Sequence, residues 1–249
     1  METSRKMGGI AALAGAATNL LGLVVFVTLL LPKGLGDTDA DPGKIVALLA
    51  DNEAAMRAWY QVIYLVFGVC LIFLSLALYE RLKSGSPVMA QAVTIFGLIY
   101  AVLVLLIGTL SITDLNTIVK LHGENPDQAE TVYQTLTSVE TGLGAGGGET
   151  IVVALWLLLL SWAALQAREL PKLLNYLGVA LGVAGILSVV VNSLALMSVF
   201  GLVLIIWFVW LGIAMLRRIP VPTGVEASPS APADQSLGRD PQLSSSGKK

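Results

Sequence analysis

Charged residues are scarce in this sequence. Asp, Glu, Lys and Arg make up 13% of its 249 residues, whereas 55% are hydrophobic. Soluble domains carry about 25% charged residues, so this composition is typical of a membrane protein. The formal net charge is −2, and the chain therefore lacks the basic surface that binding to nucleic acid requires.

Cysteine and histidine are scarcer still. Cys70 is the single cysteine and His122 the single histidine. One cysteine cannot form a disulfide within the chain, and one histidine cannot supply a cluster of imidazole ligands. We therefore expect no structural zinc site and no metal-dependent hydrolase, and no cofactor is predicted.

Long apolar runs take the place of charge. The longest covers 44 residues between Lys172 and Arg217, without Asp, Glu, Lys, Arg or His. At about 1.5 Å per residue, one helix of this length would be roughly twice as long as the hydrocarbon core is thick. The run thus predicts two spans with a turn near Asn192 and Ser193. Uncharged stretches of about 20 residues predict six spans in all: about 8–31, 58–79, 88–112, 150–167, 173–192 and 198–216.

Basic residues are distributed unevenly around these six spans. Eight lie on the side that holds both termini and four on the opposite side. Because Lys and Arg in short loops favour the cytoplasmic side, we predict a multi-pass protein of the cell membrane, the cytoplasmic membrane if bacterial, with both termini in the cytoplasm. The eight are Arg5, Lys6, Arg81, Lys83, Arg168, Lys172, Arg217 and Arg218, and the four are Lys33, Lys44, Arg57 and Lys120.

Two long loops on the outer side each contain a helix-start signal. Asp41 is followed by Pro42, and Asn125 by Pro126. A capping side chain before a proline is typical of the first turn of a helix, and apolar residues then recur at helical spacing. We expect two short amphipathic helices, one at about 42–51 and one that starts at 126, to cover the outer end of an all-α six-helix bundle.

The sequence after Arg218 has a different composition. It is rich in Pro, Ser, Ala and Gly and has no apolar periodicity, which is typical of disorder. The predicted domains are therefore a transmembrane domain over 1–218 and a disordered cytoplasmic tail over 219–249.

The predicted spans contain few polar side chains, and none is ionisable away from a span end. Asn19 lies near the middle of the first span and Tyr100 near the middle of the third, so both reach the same depth. Two interpretations stay open. One is an interhelical hydrogen bond worth about 1 kcal/mol or less. The other is a pocket for a small or lipid-like ligand, to which Gln91, Thr94 and Ser161 would contribute.

Arg57 lies at the outer end of the second span, beside Trp59. This pair is typical of an interfacial anchor. Alternatively, Arg57 forms an ion pair with Glu149 or Asp114 and ties the outer loops to the bundle.

Small residues recur at helical spacing in two spans. Gly8, Gly15 and Gly22 share one face of the first span, and Gly178 and Gly182 share one face of the fifth. Such faces let helices approach closely in lipid. We expect packing within the chain, with a homo-oligomer through these faces as the alternative.

Three segments resemble a bacterial family of multi-spanning membrane proteins, the domain of unknown function 4386. They are RKMGGIAALAGAATNLLGLVV, SLALYERLK and ARELPKLLNYLGVALGVAGIL. The resemblance covers most of residues 5–216, and it implies the membrane fold without an activity or a catalytic residue. The positions that carry it are Lys6, Gly8, Leu78, Tyr79, Leu170, Pro171, Lys172, Leu177 and Gly178.

The polar residues also limit the function. Ion-coupled transport usually needs ionisable groups inside the membrane, and a serine hydrolase needs a general base near its serine. The predicted spans show neither kind of group, so we do not expect either function. We expect a non-catalytic membrane-embedded binding or interaction protein whose partners are the bilayer and a lipid or small amphipathic ligand. The alternatives are a permease for a small neutral or amphipathic molecule and, third, a lipid-modifying enzyme.

Overall fold

The protein is described by a computed structural model over residues 2–35, 40–144 and 147–217. Within these ranges the regular structure is helical. The predicted tail, 219–249, lies outside the described residues. The α-helices are α1 (Glu2–Val25), α2 (Pro42–Asp51), α3 (Glu53–Tyr60), α4 (Phe67–Leu82), α5 (Pro87–Glu124), α6 (Pro126–Leu143), α7 (Gly148–Ala167), α8 (Lys172–Val191) and α9 (Leu194–Leu216).

Six helical stretches are long and apolar enough to cross a membrane. Each overlaps one of the six predicted spans, and the all-α prediction is confirmed. The six main helices follow one another around a ring: α1 packs against α4, α4 against α5, α5 against α7, α7 against α8, α8 against α9, and α9 against α1. We call the end of this ring that carries α2 and α6 the outer end, after the predicted orientation, and the opposite end the inner end.

Local signals determine where several helices start. The Asp41 carboxylate accepts a hydrogen bond from the Gly43 amide at 3.0 Å, as expected of a helix cap before Pro42. The Asn125 side chain caps α6 in the same way. Asn192 has a positive φ of 50° at the turn between α8 and α9. Both short helices and the turn are therefore where the sequence predicts them.

Helix α5 does not end at 112, where the predicted third span ends. It continues without interruption to Glu124. Leu115 and Ile118, on this extension, are buried in a second small core with residues of α2 and α6. Burial under the outer helices stabilises helical turns that a hydropathy pattern would assign to a loop.

Aromatic rings fill the middle of the ring of helices. Neighbouring rings have centroid separations of 5.5–6.1 Å, mostly in tilted or edge-to-face geometry. Such contacts add to the burial of apolar area. We call this set the aromatic cluster: Phe67, Tyr100, Trp156, Trp207 and Phe208.

Both glycine rows pack within the chain. A Cβ atom at Gly15 would meet the Phe67 ring at 3.0 Å, and one at Gly182 would meet the Ala154 carbonyl oxygen at 2.8 Å. Gly9 and Gly212 bring α1 and α9 into similarly close contact at the inner end. The small residues thus set the spacing of α1, α8 and α9 inside the bundle.

One guanidinium joins α4, the turn between α7 and α8, and α9 at the inner end. Arg81 on α4 lies 3.2 Å from the Glu169 carboxylate and donates to the Glu169 carbonyl oxygen at 2.6 Å. It also lies 3.5 Å from the carbonyl oxygen of Ala214 on α9. The Arg81 side chain is only 10% exposed, so this contact belongs to the packed bundle.

Candidate functional site

The outer half of the ring encloses a cavity of about 700 Å³, which we call the main cavity. Its walls come from α1, α4, α5, α7 and α9 and from the two π-helical segments described below. Phe67, Tyr100 and Phe208 of the aromatic cluster contribute to its lining. Ligand sites of small molecules have volumes of roughly 300–1,000 Å³, and the main cavity falls within that range.

The main cavity reaches the surface between α1 and α9. Val27, Leu31 and Leu202 belong to its lining and are still 49%, 46% and 48% exposed. All three are apolar and lie on helices that would face the bilayer. At the inner end α1 and α9 close on each other through Gly9 and Gly212. The opening therefore lies at the outer end of the bundle, where it would face lipid.

The polar groups of the lining are few. Asn19 is half-buried, and its amide donates to the Gly15 carbonyl oxygen at 2.9 Å, within α1. Tyr100 is 2% exposed and packs between Phe67 and Trp156. Asn19 and Tyr100 thus line one cavity, although the Asn19 amide bonds within its own helix and not across to α5.

Three other residues of the predicted pocket lie elsewhere. Gln91 is exposed, and Thr94 donates to the Ala90 carbonyl oxygen at 2.8 Å on the same helix. Ser161 is buried against Gly178 at the contact between α7 and α8. At about 1.5 Å per residue, Thr94 is already roughly 9 Å along α5 from Tyr100. These residues are separated from the main cavity by depth or by helix face.

The proposed outer ion pair has different partners. Arg57 forms an ion pair with Glu53, four residues earlier, and donates to the Asn116 side chain at 2.6 Å. Glu149 and Asp114 do not take part in it. Arg57 does tie α3 to α5, so a link between the outer segments and the bundle exists through another partner.

Glu149 belongs to the main cavity instead. It lies in the first turn of α7, where the helix dipole favours a negative charge, and it lines the cavity beside Thr150. Its position directly after a glycine-rich segment, at the start of an apolar span, is the only hint in the sequence. That hint does not reveal that α1 and α9 separate opposite this turn.

A second cavity of about 380 Å³ lies between the outer helices and α5, and we call it the outer pocket. Asp114 and Glu140 lie side by side in its lining, next to Tyr60 and Tyr133. Asp114 therefore belongs to this acidic pocket and not to a contact with Arg57.

Two residues line both cavities. Phe26 and Tyr64 belong to the main cavity and to the outer pocket. Each lies in a π-helical segment, Phe26–Leu30 after α1 and Gln61–Val66 before α4. Short π-helical segments are rare and are frequent at functional sites. The aromatic partition between the two cavities is therefore built on the irregular parts of two helices.

The described residues do not bring together a group of three or more His, Cys, Asp or Glu side chains that could hold a metal ion.

The family model for the domain of unknown function DUF4386 matches residues 7–217. The protein belongs to the DUF4386 family. No curated protein and no solved structure matched it.

Proposed function

We propose that this DUF4386 protein is a non-catalytic binding protein that holds a lipid or another small amphipathic molecule in the main cavity. The observation that carries the proposal is the combination of a cavity of about 700 Å³ with a mouth of half-exposed apolar residues between α1 and α9. A ligand dissolved in the bilayer would enter through that mouth without crossing water.

The chemistry of the lining supports an amphipathic ligand. Most of the walls are aliphatic or aromatic, and Asn19, Glu149 and Tyr100 are among the few polar groups. Mostly apolar walls with a small number of placed polar groups are typical of ligand sites. The ligand's chain would lie along α1 and α9, and its polar end would meet these groups.

The packing at the inner end favours a binding protein over a permease. Gly9 and Gly212 allow a backbone approach that leaves no room between α1 and α9: a Cβ atom on either glycine would lie 3.1 Å from the carbonyl oxygen of the other. A permease would have to separate this contact to open a path. The exposed part of the described cavity lining lies near the outer end, and this favours a binding site.

Gly201 offers a direct test. It lines the main cavity, and a Cβ atom there would meet no atom within 4 Å. Gly201→Leu should therefore add side-chain volume at the cavity wall without a clash at its Cβ atom. Gly123 on α5 is the matched control, because it also has open space around its Cβ position but lies outside the cavity lining.

The measurement is the amount of lipid or amphiphile that remains with each purified protein in dodecyl maltoside, by mass spectrometry of the extract. We expect a bound molecule in the parent and in Gly123→Leu, and its loss in Gly201→Leu. The same retained molecule in all three proteins, or none in any of them, would contradict the proposal. Transport of the molecule across vesicles, abolished by Gly201→Leu, would instead favour a permease.

A further inference from the structure

We propose that the ligand of the main cavity carries a cationic head group, an amine or a quaternary ammonium, and that its charge lies at Glu149. This inference rests on the proposed function, because it names the class of molecule that the same cavity would bind.

The charge in the described lining of the main cavity is of one sign, acidic. Glu149 is an acid, and no Lys, Arg or His is among the described residues that line the main cavity. A carboxylate in an apolar wall interacts strongly with a charge placed beside it, because water does not screen the pair. An anionic head group at the same place would meet repulsion and no compensating cation.

A bound cation would help Glu149 to keep its charge, since burial in an apolar wall opposes the charged form of a carboxylate. Glu149 is the second residue of α7, where the free backbone amides and the helix dipole stabilise a carboxylate. The helix end alone would explain an acid at this position. It does not explain why this acid faces a cavity of about 700 Å³ that is open to lipid.

Aromatic rings add to the attraction for a cation. Tyr64, Phe67, Tyr100 and Phe208 contribute to the lining of the same cavity as Glu149. The faces of such rings attract ammonium groups, and this is the usual way in which proteins recognise quaternary ammonium ligands. Carboxylate and rings therefore favour the same class of head group.

The charged residues that line the neighbouring outer pocket are also acidic. Asp114 and Glu140 lie behind the partition made by Phe26 and Tyr64. Basic residues are also absent from the described lining of the outer pocket. The potential on both sides of the partition is thus expected to favour cations.

The test compares two probes that have the same chain and opposite charges. Labelled dodecyltrimethylammonium and dodecyl phosphate are bound to the purified full-length protein in dodecyl maltoside, so that a neutral head group is present as a constant competitor. Gly201→Leu reports binding outside the cavity. Glu149→Gln removes the charge with little change of shape, Glu149→Asp keeps it, and Glu124→Gln removes an exposed acid at the end of α5.

We expect the cation to bind about tenfold more tightly than the phosphate, and Glu149→Gln to weaken the cation about tenfold, the effect of losing one charged contact. Glu149→Asp and Glu124→Gln should stay close to the parent. Displacement by phosphatidylethanolamine but not by phosphatidylglycerol would identify a membrane lipid as the source, and displacement by neither would identify a free amphiphile.

Two results separate the inference from the proposed function. Equal binding of phosphate and cation, or full binding by Glu149→Gln, would overturn the cationic head group while loss in Gly201→Leu still supported the cavity. Binding that Gly201→Leu does not change would overturn both. If Glu149→Gln failed to fold, the ratio of cation to phosphate in the parent would decide.

Discussion

The contact between α7 and α8 should be sensitive to a single methyl group at Gly182. A Cβ atom at this position would lie 2.8 Å from the Ala154 carbonyl oxygen and 2.6 Å from Leu158. Leu158 can rotate, but the carbonyl belongs to the backbone of α7. Gly182→Ala should therefore force the two helices apart, and overpacking of this kind costs about 1–3 kcal/mol.

The opposing effect is helix propensity, since alanine is favoured over glycine by about 1 kcal/mol inside a helix. Gly201→Ala in α9 provides that gain alone, because its Cβ position is empty to 4 Å. The difference between the two variants should thus equal the overpacking cost. At about 2–4 °C per kcal/mol for a chain of this size, we expect Gly182→Ala to melt roughly 2–12 °C below Gly201→Ala.

The assay is thermal unfolding of both variants in dodecyl maltoside, followed by circular dichroism at one scan rate. Melting temperatures that agree within about 1 °C, less than 1 kcal/mol on this scale, would refute the close approach of α7 and α8. A melting temperature of Gly201→Ala well below that of the parent would show that its Cβ position is not empty.

Two further predictions concern the inner end and the partition. Arg81→Ala should lower the free energy of unfolding by about 2–3 kcal/mol, near the low end of the cost of breaking a buried pair, because its partner Glu169 is partly exposed. Lys83→Ala removes a surface pair and should change the free energy of unfolding by less than about 1 kcal/mol. Similar losses in both variants would contradict the inner contact. Phe26→Ala should join the two cavities. In a chain that carries Cys70→Ala and Asn19→Cys, the new thiol should then react with a water-soluble thiol reagent at least about tenfold faster than it does with Phe26 in place. An unchanged rate would mean that Phe26 does not separate the cavities.

Local signals in the sequence predict much of the fold. The uncharged run between Lys172 and Arg217 becomes two helices with a turn at Asn192, as its length requires. The caps at Asp41 and Asn125 start helices α2 and α6. These features depend on residues that are close in sequence. The number of helical residues needed to cross a bilayer follows from its thickness and from the rise per residue, and both are the same for any such chain.

The site depends on long-range packing and is only partly predictable. Asn19 and Tyr100 do line one cavity, and their similar depth could be estimated from the limits of the first and third spans. The role of Glu149 could not be predicted, since it requires α1 and α9 to separate at one end while Gly9 and Gly212 hold them together at the other. An apolar pattern gives the length of a span but not the neighbour that it faces.

The extension of α5 to Glu124 illustrates the same limit. Hydropathy falls after residue 112 because Thr113, Asp114, Asn116 and Thr117 follow. The helix continues because Leu115 and Ile118 are buried by segments from other parts of the chain. A span limit from composition marks where lipid contact would end, and a helix can continue wherever protein covers it.

The proposal that the main cavity holds an amphipathic molecule is tested by an experimental structure of the purified full-length protein in a lipid nanodisc, with attention to density between α1 and α9. We expect elongated density that begins between Val27 and Leu202 and ends within hydrogen-bond distance of Glu149, Asn19 or Tyr100. A bundle in which α1 and α9 close along their whole length, with side chains filling this space, would contradict it.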